Sequence, residues 1–405
     1  MIYLENNYLL SILLSLLLLN GFYNLAYKFR FIANSLFNIK NDLISSIINF
    51  YLIINCLGII TFNLFLFYEV NKDVLKVISI LIIFIGFYKP TYLNLKIFNK
   101  NDYKLNLLYL ILFFYFILSL NPVTDSDSLD YHLSIPFYQI EFGNSQFYKY
   151  WLHSQLSGSG EAVYLYSLIL GAIHFPQLLQ FISLFFIFLF FLNFNFSKIK
   201  IDYQNRLFVC LCLLTMPVFL FLVSTSKPQL FPLTTNFISL IIATFYLPKL
   251  KGTNLTICFT LLVVLLLSSI LMKFSFLLSS GLILLYSVYL IKNKKFLLNS
   301  IIIIFLLTVI IIIPREVFEF LNFKKDILYN FFNPVTDEFG ANAMNASLRH
   351  GSGNSRFLIF WLFFPYDQYG QFRLGDITYC VGPLVLYCFL NYNLNISFQK
   401  KITLI

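Results

Sequence analysis

Long apolar runs recur along this chain, and they constrain its fold more than any other feature. Runs such as "YLLSILLSLLLLNGFYNLAY" and "FLLNSIIIIFLLTVIIII" approach the roughly 20 apolar residues that span a bilayer core. Of the 405 residues, 59% are hydrophobic and only 11% are charged. A soluble domain of this length needs more polar surface than that. The sequence therefore predicts an all-α polytopic membrane protein with about 11 transmembrane helices.

The distribution of basic residues predicts the orientation of these spans. With the N-terminus outside, most of the 28 lysines and arginines fall in short cytoplasmic loops, as the positive-inside rule requires. Two long loops, 121–174 and 314–377, then lie on the outer face. Residues 1–104 are interpreted as N-terminal transmembrane helices, 105–392 as a core that carries both loops, and 393–405 as a cytoplasmic tail.

The net charge of +10 is explained by these cytoplasmic loops and does not indicate a nucleic-acid partner. The six cysteines all lie in apolar segments, without the spacing of a zinc site or a disulfide framework. The bilayer is therefore the first partner that the composition predicts.

Acidic residues cluster at the start of the first outer loop, in "NPVTDSDSLDYHLSIP". If residues 127–135 are helical, Asp127, Asp130 and Tyr131 share one face, because they are spaced i, i+3, i+4. Two carboxylates this close repel each other, which favours retention of one proton near neutral pH. An alternative is structural: Ser126 or Asp127 caps the helix, and Asp125 is a turn residue.

A carboxylate beside an apolar wall suits a general base that takes a proton from an attacking hydroxyl. We therefore predict catalytic roles for Asp127 and Asp130. His132 is placed to orient the base, to bind a phosphate or to hold a metal. No metal-ligand set is predicted; a divalent metal is compatible with this chemistry, but no residue pattern requires it.

Three basic residues lie at the outer ends of spans: Lys227, Lys273 and Arg315. One reading makes them interfacial anchors with the charge at headgroup depth. The other makes them ligands of an anionic phosphate, which Arg contacts bidentately and Lys as a point charge.

Three further segments of the outer loops carry predictions. Residues 161–176 are predicted to form a short helix at the membrane surface. The polar, Gly-rich segment 341–357 is either a mobile flap or a solvated loop. The segment 366–376 is a weaker candidate for acceptor binding.

The order of these motifs resembles the GT-C membrane glycosyltransferases. "DSLDYHLSIP", after a span on the outer face, resembles the bacterial dolichyl-phosphate-mannose and aminoarabinose transferase-like group. "PVFLFLVSTSKPQLFPL", "SSILMKFSFLL" and the segment from Pro314 to Val335 resemble later outer segments of that group. Many relatives have Glu directly after the catalytic Asp, whereas Ser128 follows Asp127 here. The resemblance covers roughly residues 105–335.

The resemblance implies a sugar transfer from a polyprenyl-phosphate donor to an acceptor on the outer face of a bacterial inner membrane. The acceptor is a glycan, a lipid or a protein. Asp127 would then be the catalytic acid of the loop and Tyr131 the matching tyrosine. Tyr131, His132, Lys227, Lys273 and Arg315 would bind the substrate. The alternatives are a lipid-linked glycan transporter or flippase, an O-antigen polymerase or ligase, and a non-catalytic scaffold.

Overall fold

The computed structural model describes residues 7–37, 39, 41–88, 102–145, 157–193, 203–291 and 294–323. All regular secondary structure within these ranges is helical. The helices are α1 (Tyr8–Lys28), α2 (Arg30–Phe37), α3 (Asp42–Phe67), α4 (Lys72–Phe87), α5 (Tyr103–Leu118), α6 (Ser134–Phe142), α7 (Ser159–Leu168), α8 (Phe175–Asn193), α9 (Tyr203–Leu214), α10 (Pro217–Ser224), α11 (Leu230–Ile241), α12 (Gly252–Met272), α13 (Leu277–Leu290), α14 (Lys294–Ile311) and α15 (Ile313–Phe323).

The described residues contain six helices that are long and apolar enough to cross a membrane, or seven if one bent pair is a single span. That pair is α9 and α10, which meet at 64°. Helices α5 and α13 are apolar but shorter. The chain is thus a helical multi-pass membrane protein. The predicted total of 11 spans remains a prediction, and the last predicted span, 378–392, lies outside the described residues.

Apolar side chains on the outside of the described helices agree with a lipid-facing surface. Helix α14 exposes Leu298, Ile301 and Phe305, and α13 exposes Leu285 and Tyr289. Exposed apolar surface of this extent is unfavourable in water and favourable against lipid tails. These two helices therefore present their sides to the bilayer.

Most of the described chain belongs to one compact unit, made of Met1–Asn94, Ser119–Phe190 and Val223–Ile327. Within it, α3 packs against α1, α7 and α12, and α12 also packs against α11 and α14. The second unit includes Leu95–Leu118 and Phe191–Leu222, where α5 packs against α9. The predicted boundary at residue 104 remains a prediction.

Helix α7 lies in the centre of the first unit rather than at its surface. The expected helix in 161–176 is present as Ser159–Leu168, but all ten of its residues are buried. Burial by the rest of the unit does not fix the depth of α7 in the bilayer, so its predicted position at the membrane surface remains a prediction. Small residues at its start allow this burial, since a methyl group on Gly158 would overlap the carbonyl oxygen of Leu271 at the end of α12. A close helix approach of this kind is typical of small residues in membrane proteins.

Helices α1 and α4 approach equally closely at Gly21, where an added Cβ would overlap the backbone of Ile82. We expect Gly21→Ala to lower the free energy of unfolding by about 1–3 kcal/mol, because the helices must separate. An SDS titration in mixed micelles measures this. Gly281→Ala is the matched control, because nothing lies within 4 Å of an added Cβ there. Equal stability of the two variants would contradict the prediction.

Candidate functional site

The aspartate cluster begins a helical segment that is not a regular α-helix. Asp125 caps the segment, because its Oδ1 accepts a hydrogen bond from the backbone nitrogen of Ser128 at 3.0 Å. Residues Ser128–His132 then form a π-helical turn, and α6 follows. The capping role thus falls to Asp125 rather than to Asp127, whose side chain makes no cap hydrogen bond. Single π-helical turns inside helices often occur at functional sites.

Lys227 joins two of the three aspartates, although it lies about a hundred residues further along the chain. Its Nζ donates a hydrogen bond to Asp127 Oδ2 at 2.8 Å and lies 3.4 Å from Asp125 Oδ1. The Lys227 side chain is 10% exposed, whereas that of Asp127 is 52% exposed. The lysine is thus enclosed, while the carboxylate of Asp127 still faces outward and is accessible to a ligand.

This arrangement determines the ionisation of Asp127. The hydrogen bond from Lys227 lowers the pKa of Asp127, partial burial opposes this, and the charges of Lys227 and Lys273 lower it further. Asp127 is therefore not the carboxylate that would retain a proton near neutral pH, and retention of one proton by the pair remains a prediction. Burial would lower the pKa of Lys227, but the two aspartates outweigh it and raise that pKa.

The backbone around Lys227 is held from two sides. The nitrogen of Ser226 donates to the Ser128 hydroxyl at 3.1 Å, and the carbonyl of Ser226 accepts from the Tyr164 hydroxyl at 2.9 Å. On the other side, a Cβ on Gly160 would lie 2.8 Å from Pro228 Cβ, so α7 packs directly against this segment. The contacts fix where the lysine stem starts relative to the π-helical turn.

His132 and Glu161 form a buried pair beneath the aspartates. His132 Nδ1 lies 2.6 Å from Glu161 Oε1, and the side chains are 2% and 1% exposed. The other carboxylate oxygen accepts a hydrogen bond from Gly158 N at 2.8 Å. His132 Nε2 is buried and has no hydrogen-bond partner among the described residues. The pair anchors the end of the π-helical turn to the start of α7.

Lys273 is the second cation of the site. It follows α12 directly, next to the carbonyl groups of Leu271 and Met272 that pack on Gly158. Burial lowers the pKa of Lys273; the charges of Glu161 and Asp127 oppose this, and Lys227 adds to it. None of the ion pairs in the described part of the chain includes Lys273. It is therefore the partly buried cation that is best placed to meet an anionic ligand.

Tyr131 and Asp130 lie on the same turn and are partly exposed. The Tyr131 ring contacts the His132 ring, with centroids 4.0 Å apart. Burial raises the pKa of Tyr131, and the carboxylates of Asp127 and Glu161 raise it further. The Tyr131 hydroxyl is therefore protonated at neutral pH and can donate a hydrogen bond to a ligand.

Arg315 has a carboxylate partner on its own helix. Its Nε donates to Glu319 Oε1 at 3.0 Å, one turn along α15. The ion pair is largely buried, and α15 packs against α3 through the Phe318 and Phe67 rings. The segments 341–357 and 366–376, which carry the flap and acceptor predictions, lie outside the described residues.

Metal ligation is one of the three alternative roles that the sequence leaves open for His132. In the ranges that the structure describes, no three His, Cys, Asp or Glu side chains are grouped so that they could hold a metal ion.

Glu161 was missed in the sequence, although it is the partner of His132. One signal was present in "SGSGE": an acid lies at N3, three residues after the N-cap Gly158, and its carboxylate accepts a hydrogen bond from the Gly158 nitrogen, which is half of a capping box. The pattern predicts the start of α7, but not the contact with His132, which comes from tertiary packing.

Comparison with known proteins gives a family match but no characterised relative. A family model described as the DUF1420 N-terminal domain matches residues 8–390. No curated protein and no solved structure matches the chain.

Proposed function

We propose that this chain, which belongs to the DUF1420 N-terminal domain family, is a membrane glycosyltransferase. It would move a sugar from a polyprenyl-phosphate donor to an acceptor hydroxyl on the outer face of a bacterial inner membrane. The observation that carries the proposal is the half-exposed Asp127 carboxylate, which lies beside Lys227 and within the electrostatic reach of Lys273. In such a transfer a base takes the proton of the acceptor hydroxyl, and cations bind the phosphate of the donor.

The reaction we propose is a single displacement at the anomeric carbon. The acceptor oxygen attacks that carbon, the bond from carbon to the phosphate oxygen breaks, and polyprenyl phosphate leaves. Asp127 takes the proton of the acceptor hydroxyl during the attack. One displacement inverts the configuration at the anomeric carbon.

The lysines supply the electrostatic part of the mechanism. As the phosphate oxygen leaves it gains negative charge, which preorganised cations stabilise more strongly than they stabilise the bound donor. Lys273 is suited to this because it is partly buried, where charge interactions are weakly screened. Arg315 contributes least to the proposal, since its guanidinium already contacts Glu319.

The remaining residues of the turn would bind and orient the substrate. The protonated Tyr131 hydroxyl can donate to a sugar or acceptor oxygen. Asp130 lies three residues after Asp127 and supplies a second carboxylate on the partly exposed side of the turn. His132 is buried and paired with Glu161, so it would orient the turn that carries Asp127, Asp130 and Tyr131.

The purified protein in liposomes tests this proposal with radiolabelled polyprenyl-phosphate sugars and a membrane extract as the source of acceptor. We expect the label to leave the donor lipid and to appear on an acceptor with inverted configuration. Liposomes without the protein are the control. Movement of intact donor between leaflets, without cleavage, would contradict the proposal in favour of a flippase.

A further inference from the structure

Lys227 is a counter-ion to two carboxylates at once, and this limits what Asp127 can do in the absence of substrate. Its Nζ is 2.8 Å from Asp127 Oδ2 and 3.4 Å from Asp125 Oδ1. A carboxylate that accepts a short hydrogen bond from an ammonium group is a poor proton acceptor, because the bond favours its charged form. Before Asp127 can act as a base, this interaction has to weaken.

The Lys227 side chain can move while its backbone stays in place. Hydrogen bonds to Ser128 and Tyr164 hold Ser226, and Pro228 packs against Gly160. Between these fixed points the lysine has a flexible four-carbon stem, and its ammonium group is a point charge with three donors and no directional fork. A swing of the Nζ to a new anionic partner therefore requires no change in the helices.

Lys273 lies near Lys227, because their chain neighbours Met272 and Pro228 both pack against Gly160. Lys227 and Lys273 influence each other electrostatically, and the Asp127 carboxylate influences both. Lys227 is paired with Asp125 and Asp127, whereas Lys273 has no ion pair in the described part of the chain and is reached only by the charges of Glu161 and Asp127. A phosphate group bound by Lys273 would compete with Asp127 for the Nζ of Lys227.

We propose that Lys227 exchanges partners when the donor binds, leaving Asp127 for the donor phosphate. The inference rests on the proposed function. In the free protein Lys227 holds Asp127 ionised and hydrogen-bonded; in the complex it contacts the phosphate, and Asp127 is released to accept a proton. Lys273 provides one half of the phosphate site, and Lys227, which changes partner, provides the other. Donor binding thereby activates the base.

The exchange makes an unusual prediction for affinity, because a residue expected to be essential for transfer would oppose binding of the donor. Asp127→Asn removes the charge of the nearer of the two carboxylates that compete for Lys227. We expect this variant to bind farnesyl phosphate, a short polyprenyl phosphate, roughly fivefold or more tightly than the wild type. Lys227→Met should bind it more weakly, and Asp127→Asn in the Lys227→Met background should bring no further gain.

Equilibrium binding of farnesyl phosphate to the full chain in lipid nanodiscs measures this double-mutant cycle of Asp127 and Lys227. Farnesol is the control ligand without a phosphate, and inorganic phosphate is the control ligand without a lipid. Asp73→Asn, at an exposed site in the first turn of α4, is the matched control for loss of one acidic charge.

In a Lys273→Met background, Asp127→Asn should still tighten binding, since Lys227 is intact. Size-exclusion profiles verify that each variant is folded, and Lys227→Gln replaces Lys227→Met if the latter does not fold.

Each outcome bears on the exchange separately from the proposed function. Unchanged or weaker binding by Asp127→Asn, or tighter binding that persists without Lys227, overturns the exchange even if sugar transfer is observed. Failure of the wild type to bind farnesyl phosphate overturns it as well. If the cycle behaves as expected but no donor is cleaved, the exchange stands as a recognition mechanism and the glycosyltransferase proposal falls.

Discussion

Asp127→Asn is expected to lower the rate of sugar transfer by a factor of about 10² to 10⁴, the contribution typical of a general base. Asparagine has the shape of aspartate and still accepts a hydrogen bond from Lys227, so the π-helical turn should keep its position. It cannot take up a proton from the acceptor hydroxyl. The initial rate at saturating donor, measured with protein in liposomes, reports this loss directly.

Two comparisons separate loss of the base from a general loss of charge. Asp73→Asn removes the same charge from an exposed position and should transfer sugar at the wild-type rate. Asp127→Glu keeps a carboxylate but displaces it, and should retain part of the activity. A rate for Asp127→Asn within threefold of the wild type would remove Asp127 from the mechanism. Tighter binding of the phosphate lipid by the inactive variant would in turn support the exchange of Lys227.

The helices could be predicted from sequence because their signal is local. A run of apolar residues has few ways to satisfy its backbone in a bilayer, so the run "YLLSILLSLLLLNGFYNLAY" is found within the helix Tyr8–Lys28. The segment "EAVYLYSLIL" does not by itself decide between an interfacial and a buried helix, because Glu161 and Ser167 interrupt residues that are otherwise apolar or aromatic. What decides between them is the close approach at Gly158 and Gly160, which is a tertiary contact.

The site could be predicted only in part, for a related reason. The clustering of Asp127, Asp130 and Tyr131 indicated a site, and the structure places them on one turn. The turn is π-helical rather than α-helical, which periodicity does not reveal. The contact of Asp127 with Lys227 joins two segments separated by a hundred residues, and no local pattern specifies it. The sequence thus identifies candidate side chains, whereas tertiary packing decides how they are paired and ionised.

The largest loss of stability is expected at Glu161. Glu161→Ala would leave both His132 Nδ1 and the nitrogen of Gly158 without their acceptor, in a place where water does not reach them. Each buried donor that loses its acceptor costs about 1–3 kcal/mol, because it is desolvated and no longer hydrogen-bonded. An SDS titration of the purified protein measures the free energy of unfolding. Glu141→Ala is the matched control, because Glu141 is an exposed acid at the end of α6.

A second substitution shows whether the pair itself accounts for this loss. His132→Leu removes the imidazole that Glu161→Ala leaves unpaired, so the double variant should be less destabilised than the sum of the two single variants. Additive effects would mean that Glu161 acts only through Gly158 and the start of α7. A coupling between the two positions would mean that the buried pair holds the π-helical turn. In that case Glu161 positions Asp127, Asp130 and Tyr131 without touching the ligand. A Glu161→Gln variant that folds should then bind farnesyl phosphate more weakly than the wild type.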